Sequence, residues 1–221
     1  MPDVNRQVIY KVDPQTYQVV TRAALGMAGG SGGSIGVGEG ALWVIAGARK
    51  NELKRYSAET GTEEASISLA SASSDVLVAF GSVWITGTGN EELYRVNPAI
   101  NQVVSTIDLH ARPRSLARGE GSIWVFNAGD GTVDQIDGNT GKLLATIETG
   151  GAARGAIAVG GGFVWVVTPL VPLIKIDPGT HLVRGKFSIE MGGYSGGSSV
   201  GYSGGSLWIS GPTIRRVTTP E

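Results

Sequence analysis

The 221-residue sequence contains no cysteine. Disulfide staples, thiolate metal sites and a cysteine nucleophile are therefore excluded. No run of about 18 apolar residues occurs, the length a membrane-crossing helix needs, so membrane insertion is not expected. Neither sign of charge dominates: 18 basic and 19 acidic residues leave a formal net charge of −1. A nucleic-acid partner or an acidic membrane surface would call for a basic face, and neither is expected. No segment sustains a 3.6-residue apolar period, so almost no helix is expected. The opening MPDVNRQV lacks the basic-then-apolar layout of a secretory leader. Composition assigns no compartment; an extracytoplasmic one, with a leader already removed, is the expectation over the cytoplasm.

What the chain has in quantity is glycine, 35 residues, which suits many tight turns. The glycines are spaced with the tryptophans. All five tryptophans share one frame, at Trp43, Trp84, Trp124, Trp165 and Trp208, with intervals of 41, 40, 41 and 43. Three residues before each lies Gly40, Gly81, Gly121, Gly162 or Gly205, and eight before lies Ile35, Val76, Leu116, Ile157 or Val200. A second landmark follows each: YSAETG from Tyr56, VNPAIN from Val96, IDGNTG from Ile136 and IDPGTH from Ile176. VDPQTY from Val12 repeats it with no tryptophan before it, and VTTPE from Val217 is a truncated last copy.

Each unit reads as a strand, a glycine turn, a second strand carrying the tryptophan, a third strand ending at the landmark, and a fourth strand beyond it. The landmark Asp, Asn or Ser can bond backbone amides ahead of it and start a turn. The turn closes on Tyr17, Gly61, Asn101, Gly141 or His181, a slot that calls for positive φ. His181 is read as a conformational choice there. Four antiparallel strands recurring about every 40 residues mark a β-propeller blade, a sheet that buries its faces only against neighbouring blades. The expectation is an all-β, monomeric chain, a single β-propeller domain over residues 1–221. Five blades are expected, with the last shared between N- and C-terminal strands. One strand is left over, because Ile214–Val217 and Ile9–Val12 take the same repeat position. Either one sits outside the sheet, or the chain is cut from a larger propeller.

The G-x-[LIV]-W-V strand followed by I-D-P-x-T-G resembles the repeat of bacterial YVTN-type and streptogramin (virginiamycin B) lyase-like propellers. The resemblance implies the propeller fold. For the lyases it further implies a His and Glu acid/base pair with a magnesium ion on one face. Their repeats read L-W-F-T-E, whereas here the stretches are WVIAG, WITGT, WVFNA, WVVTP and WISGP, without the acidic residue.

In such a fold the connections from fourth to first strand, and from second to third, emerge together. The first set carries Asp75, His110, Arg112, Arg114, Arg154, Tyr194 and Ser198; the second carries Arg49, Lys50, Asn90, Glu91, Asn127 and Asp130. Arg112, Arg114 and Arg154 come from adjacent blades, and planar guanidinium groups suit carboxylate or phosphate. With Asp75 they form the candidate site for a small anionic ligand or a protein or peptide segment, on a scaffold with no catalytic role. Solvated loop charge is the plainer reading. Under the lyase alternative, His110 and Glu91 would be the acid/base pair and magnesium the cofactor; otherwise no cofactor is expected.

Other patterns read as structure. Lys11, Arg55, Arg95, Gln135, Lys175 and Arg216 recur two residues before the landmark Asp, Ser, Asn or Thr. A long aliphatic stem with a solvated tip explains them better than an anion track. GGSGG at 29–33 and GYSGG at 193–197 and 201–205 fit G-x-S-x-G, but lack the strand-turn-helix of a nucleophile elbow. Asp130, Asp134 and Asp137 are spread along one strand and do not converge as calcium requires. No metal site is expected from them.

Overall fold

A computed structural model describes residues 2–3, 8–24, 34–151, 154–169, 173–188, 199–210 and 213–218. Among them no helix occurs, and the strands form six antiparallel sheets in chain order. The first has three strands, Pro2–Asp3, Val8–Val12 and Val19–Ala24. Four sheets of four strands follow, over residues 35–68, 73–108, 113–148 and 156–187. The last has three, Ser199–Ser203, Ser206–Ser210 and Ile214–Thr218. The residues cluster into two compact units, Met1–Asn90 with Tyr94–Thr106, and Glu91–Leu93 with Ile107–Glu221.

Among the described residues, each chain end has a three-stranded sheet of its own. Val8–Val12 pairs with Pro2–Asp3 on one side and Val19–Ala24 on the other, while Ile214–Thr218 takes the third place beside the Trp208 strand. Both ends carry a third strand, and the partner a few residues away closes a far shorter loop than one at the other end. The leftover strand of the sequence count is thus used inside its own sheet.

The turns follow the repeat. The first and second strands of each unit meet in two-residue hairpins with both central residues at positive φ: Glu39-Gly40, Phe80-Gly81, Glu120-Gly121, Gly161-Gly162 and Gly204-Gly205. That is the type I′ geometry whose twist matches the flanking strands. The landmark turns end on Tyr17, Gly61, Asn101, Gly141 and His181, all at φ between 55° and 74°. Asp13, Asn97, Asp137 and Asp177 accept the amides two residues ahead.

Each tryptophan indole N–H donates to the carbonyl five residues earlier, at 2.9–3.3 Å, tying the strand to its own hairpin. Trp43, Trp84, Trp124 and Trp165 are fully buried. In the first unit Trp43 shares a core with Val76, Val78 and Val83 of the following sheet. In the second, Trp124 does so with Ile157, Val159 and Val164, and Trp165 with Val200, Tyr202 and Leu207. The fourth strands present mostly exposed residues.

The basic third-strand positions stack on these rings. Arg55, Arg95, Lys175 and Arg216 lie 5.2, 5.1, 5.6 and 5.9 Å from the ring centres of Trp43, Trp84, Trp165 and Trp208, which is cation–π range. Where a serine lies two residues before the tryptophan, the long side chain also donates to it. Arg95 reaches Ser82, Gln135 reaches Ser122 and Arg216 reaches Ser206, each at 2.9 Å. The expected solvated tips are thus corrected: these side chains are engaged with protein, and Gln135 and Lys175 are buried. His181 adds a contact beyond its turn: its Nε2 lies 2.7 Å from Gln135 Oε1.

Candidate functional site

The segment 109–112 enters the first strand of the fourth sheet along the connection between that sheet's second and third strands. Ala128 N donates to Arg112 O at 2.9 Å and Gly129 N to Ala111 O at 2.8 Å. A Cβ on Gly129 would lie 2.7 Å from the Ala111 carbonyl oxygen, so only glycine lets the two backbones run this close. Arg112 itself adopts φ 57°. The pairing of Pro113–Gly119 with Ser122–Asn127 then skips Arg114, between Pro113↔Asn127 and Ser115↔Phe126. Such a bulge re-aims a side chain out of the alternating pattern. Arg154 arrives from the entry to the next sheet, beside Gly155, whose missing side chain leaves room for the Phe126 ring.

The three arginines are exposed and, with Ala128, line one cavity of about 600 Å³ within the second unit. In a chain of net charge −1 this is a local cationic surplus. Asp75 is not in that lining. It lies in the first unit, where its carboxylate accepts from Ser34 Oγ and from Val76 N. Its repeat position is a joint between first strands: Ser34 Oγ also accepts from Val76 N, and in the second unit Ser115 Oγ accepts from Ile157 N, both at 3.4 Å.

His110 has a carboxylate partner, and it is not Glu91. Nδ1 of His110 lies 3.0 Å from Asp134 Oδ1 and its backbone N–H is 3.3 Å from Asp134 Oδ2. Asp134 is fully buried and also accepts from Asn127 Nδ2 at 2.8 Å and Thr146 Oγ1 at 2.7 Å. Glu91 contributes its backbone carbonyl, which accepts from Leu109 N at 2.8 Å, and its side chain is exposed. Asp130 fixes the adjoining turn through Thr132, at 2.9 Å, and Ala111 N, at 3.3 Å. Asp130 and Asp134 thus belong to one polar network, while Asp137 caps a landmark turn at the other end of its strand.

In the first unit, Asn90 Oδ1 accepts from Ser71 Oγ at 2.6 Å and Tyr94 OH at 3.0 Å. Lys50 O accepts from Ser73 N at 2.9 Å. These residues of the second-to-third connections hold loops in place. Ser203, in the 201–205 G-x-S-x-G stretch, ends a hairpin strand, with its carbonyl on Trp208. Tyr194, Ser198 and the stretches 29–33 and 193–197 lie outside the described residues.

No protein-family model matches the sequence, and no curated protein does. Among solved structures the chain is similar to the hydrazine synthase of Kuenenia stuttgartiensis. The TM-score is 0.75 at 14% identity, over 92% of this chain and 67% of that one. Together with the repeated four-stranded antiparallel sheets, that likeness decides the fold. This chain has a β-propeller fold. At such identity the likeness extends to the fold alone, and propellers carry unrelated activities.

The described residues show no grouping that fits a magnesium-assisted acid/base site. Among the described residues no group of three or more His, Asp or Glu could hold a metal ion. Both oxygens of Asp134 are taken up by its protein donors.

Proposed function

We propose that this propeller is a binding scaffold without catalytic function, and that it takes an anionic ligand at Arg112, Arg114 and Arg154. One observation carries the reading: three arginines from two consecutive sheets line a single cavity. Guanidinium forks pair with carboxylate or phosphate oxygens two at a time, which gives direction as well as charge. The loop beneath is held by backbone bonds, by Gly129 and by the Asp130–Asp134 network, so the cationic groups project from a supported frame. A small polycarboxylate or phosphate compound, or an acidic peptide segment, has the required chemistry. The finer kinship with YVTN-type propellers rests on the repeat motif and belongs to the same proposal. The lyase alternative is not carried forward, since His110 is engaged by Asp134 rather than by Glu91.

Calorimetric titration with citrate, inorganic phosphate and an acidic hexapeptide tests this. Binding should weaken as salt rises. Each single arginine-to-alanine change should cost about tenfold in affinity, the scale of one charge-assisted hydrogen bond. Anion binding undiminished in the triple Arg112→Ala/Arg114→Ala/Arg154→Ala variant would sink the proposal.

A further inference from the structure

The side chains around the arginine cavity of the second unit are three guanidinium groups and the methyl group of Ala128. Each guanidinium carries five N–H donors in a planar fork and no acceptor. Among the described residues the wall's side chains therefore donate only, and no aromatic ring is included. Asp130 and Asp134, the acids of the adjoining loop and strand, are not in the lining. Their oxygens accept from Thr132, Ala111, Asn127, Thr146 and His110. Among the described residues, the side chains of Arg112 and Arg154 have no hydrogen bond or ion pair of their own.

Two stretches of backbone supply these donors. Arg112 and Arg114 come from one segment, before and within the bulge at the start of the Pro113–Gly119 strand. Arg154 comes from the entry to the Ala156–Gly160 strand of the next sheet. A single carboxylate or phosphate has room for one or two guanidinium forks, each taking two of its oxygens. Engaging the third cation calls for a second anionic group, placed toward Arg154. The cavity, of about 600 Å³, has space for a ligand larger than one such group.

We infer that the cavity takes a compact polyanion whose two or more acidic groups bridge the two sheets, in preference to a monoanion or an acidic peptide; the inference rests on the anion-site reading proposed above. An ionised phosphate or carboxylate accepts hydrogen bonds and donates none, so every polar atom of such a ligand meets a donor. A peptide brings an N–H at each residue, and a sugar brings a hydroxyl hydrogen at each free oxygen. No side chain of the described lining accepts from them. A lone anionic group, for its part, leaves guanidinium charge uncompensated in a cavity whose lining has no carboxylate.

The test is calorimetric titration of the full chain, at constant ionic strength in metal-free buffer, with two series: phosphate, pyrophosphate and tripolyphosphate, and acetate, succinate and tricarballylate. Affinity should rise about tenfold with the second acidic group, the scale of one further charge-assisted hydrogen bond. Arg154→Ala, a change at an exposed position, removes the far anchor. The gain should then fall to about threefold or less, what added charge alone brings at an exposed site. A gain in either series that Arg154→Ala removes supports the inference, and the series that shows it names the acidic group. Phosphate or acetate binding with no gain in either series overturns the inference and leaves the arginine site standing, whereas no binding by any anion overturns both. An undiminished gain in Arg154→Ala overturns the bridging. An acidic hexapeptide that binds more tightly than every member of both series overturns the choice of a compact ligand.

Discussion

Asp134 is a carboxylate removed from water, and its position in the second unit is justified only by its donors: Asn127, Thr146 and both nitrogens offered by His110. Asp134→Ala strands those donors and should cost about 2–4 kcal/mol in urea unfolding. His110→Ala, at a 42%-exposed side chain, should cost about 1 kcal/mol. If the two losses were equal, the histidine rather than the buried carboxylate would be the keystone. Asp177 makes a separate prediction. The Thr180 N–H, and after it the Arg184 guanidinium, hold its carboxyl at about 2 against an ordinary 3.8. Because the folded value lies below the unfolded one, this contribution to stability is complete above pH 3.8 and fades as pH falls toward about 2. Carbon-detected titration should show the low value, and Arg184→Met should move it upward.

At the scale of the element, the hairpins are uniform in geometry but not in residue. Phe80 occupies a left-handed position at φ 51° where two other hairpins use glycine and two use glutamate. Asn-Gly is the favoured pair for this turn, so Phe80→Asn should stabilise the fold by about 0.5–1 kcal/mol, read as a raised urea midpoint at constant slope. The third-strand cations give a second test. Arg95 both stacks on Trp84 and donates to Ser82. A double-mutant cycle on Arg95→Met and Ser82→Ala should return a coupling of about 1 kcal/mol. A coupling near zero would leave the stacking alone as the reason for the arginine.

For the molecule as a whole, what could be read in advance was whatever repeats. The turn slots at Gly61, Asn101, Gly141 and His181 announced positive φ by residue type, Tyr17 by its repeat position alone, and the structure has it at all five. The clustering of Arg112, Arg114 and Arg154 was also legible, since equivalent loops of consecutive blades must be neighbours. The partner of His110 was not. Asp134 sits on a buried strand at a position that other repeats fill with Tyr10, Lys54, Tyr94, Ile174 or Arg215, and its being the sole acid in that column was the one available sign. Asp75 shares its repeat position with Ser34 and Ser115, which join strands, and is not in the lining of the arginine cavity. The chain ends escaped prediction because two strands compete for one repeat position, and sequence alone does not rank a near partner against a distant one.

The burial of the tryptophans has an optical consequence. Four indoles are at 0% exposure and Trp208 is at 43%. A small aqueous quencher such as iodide or acrylamide therefore meets one emitter and not the other four. The quenchable fraction of the native emission reports on the last sheet alone. For Trp43, Trp124 and Trp165, emission should become accessible only when their sheet separates from the one that follows it in the same unit. A quencher titration repeated along a denaturation curve would distinguish loosening at the final sheet from loss of the whole array, with no label added to the protein.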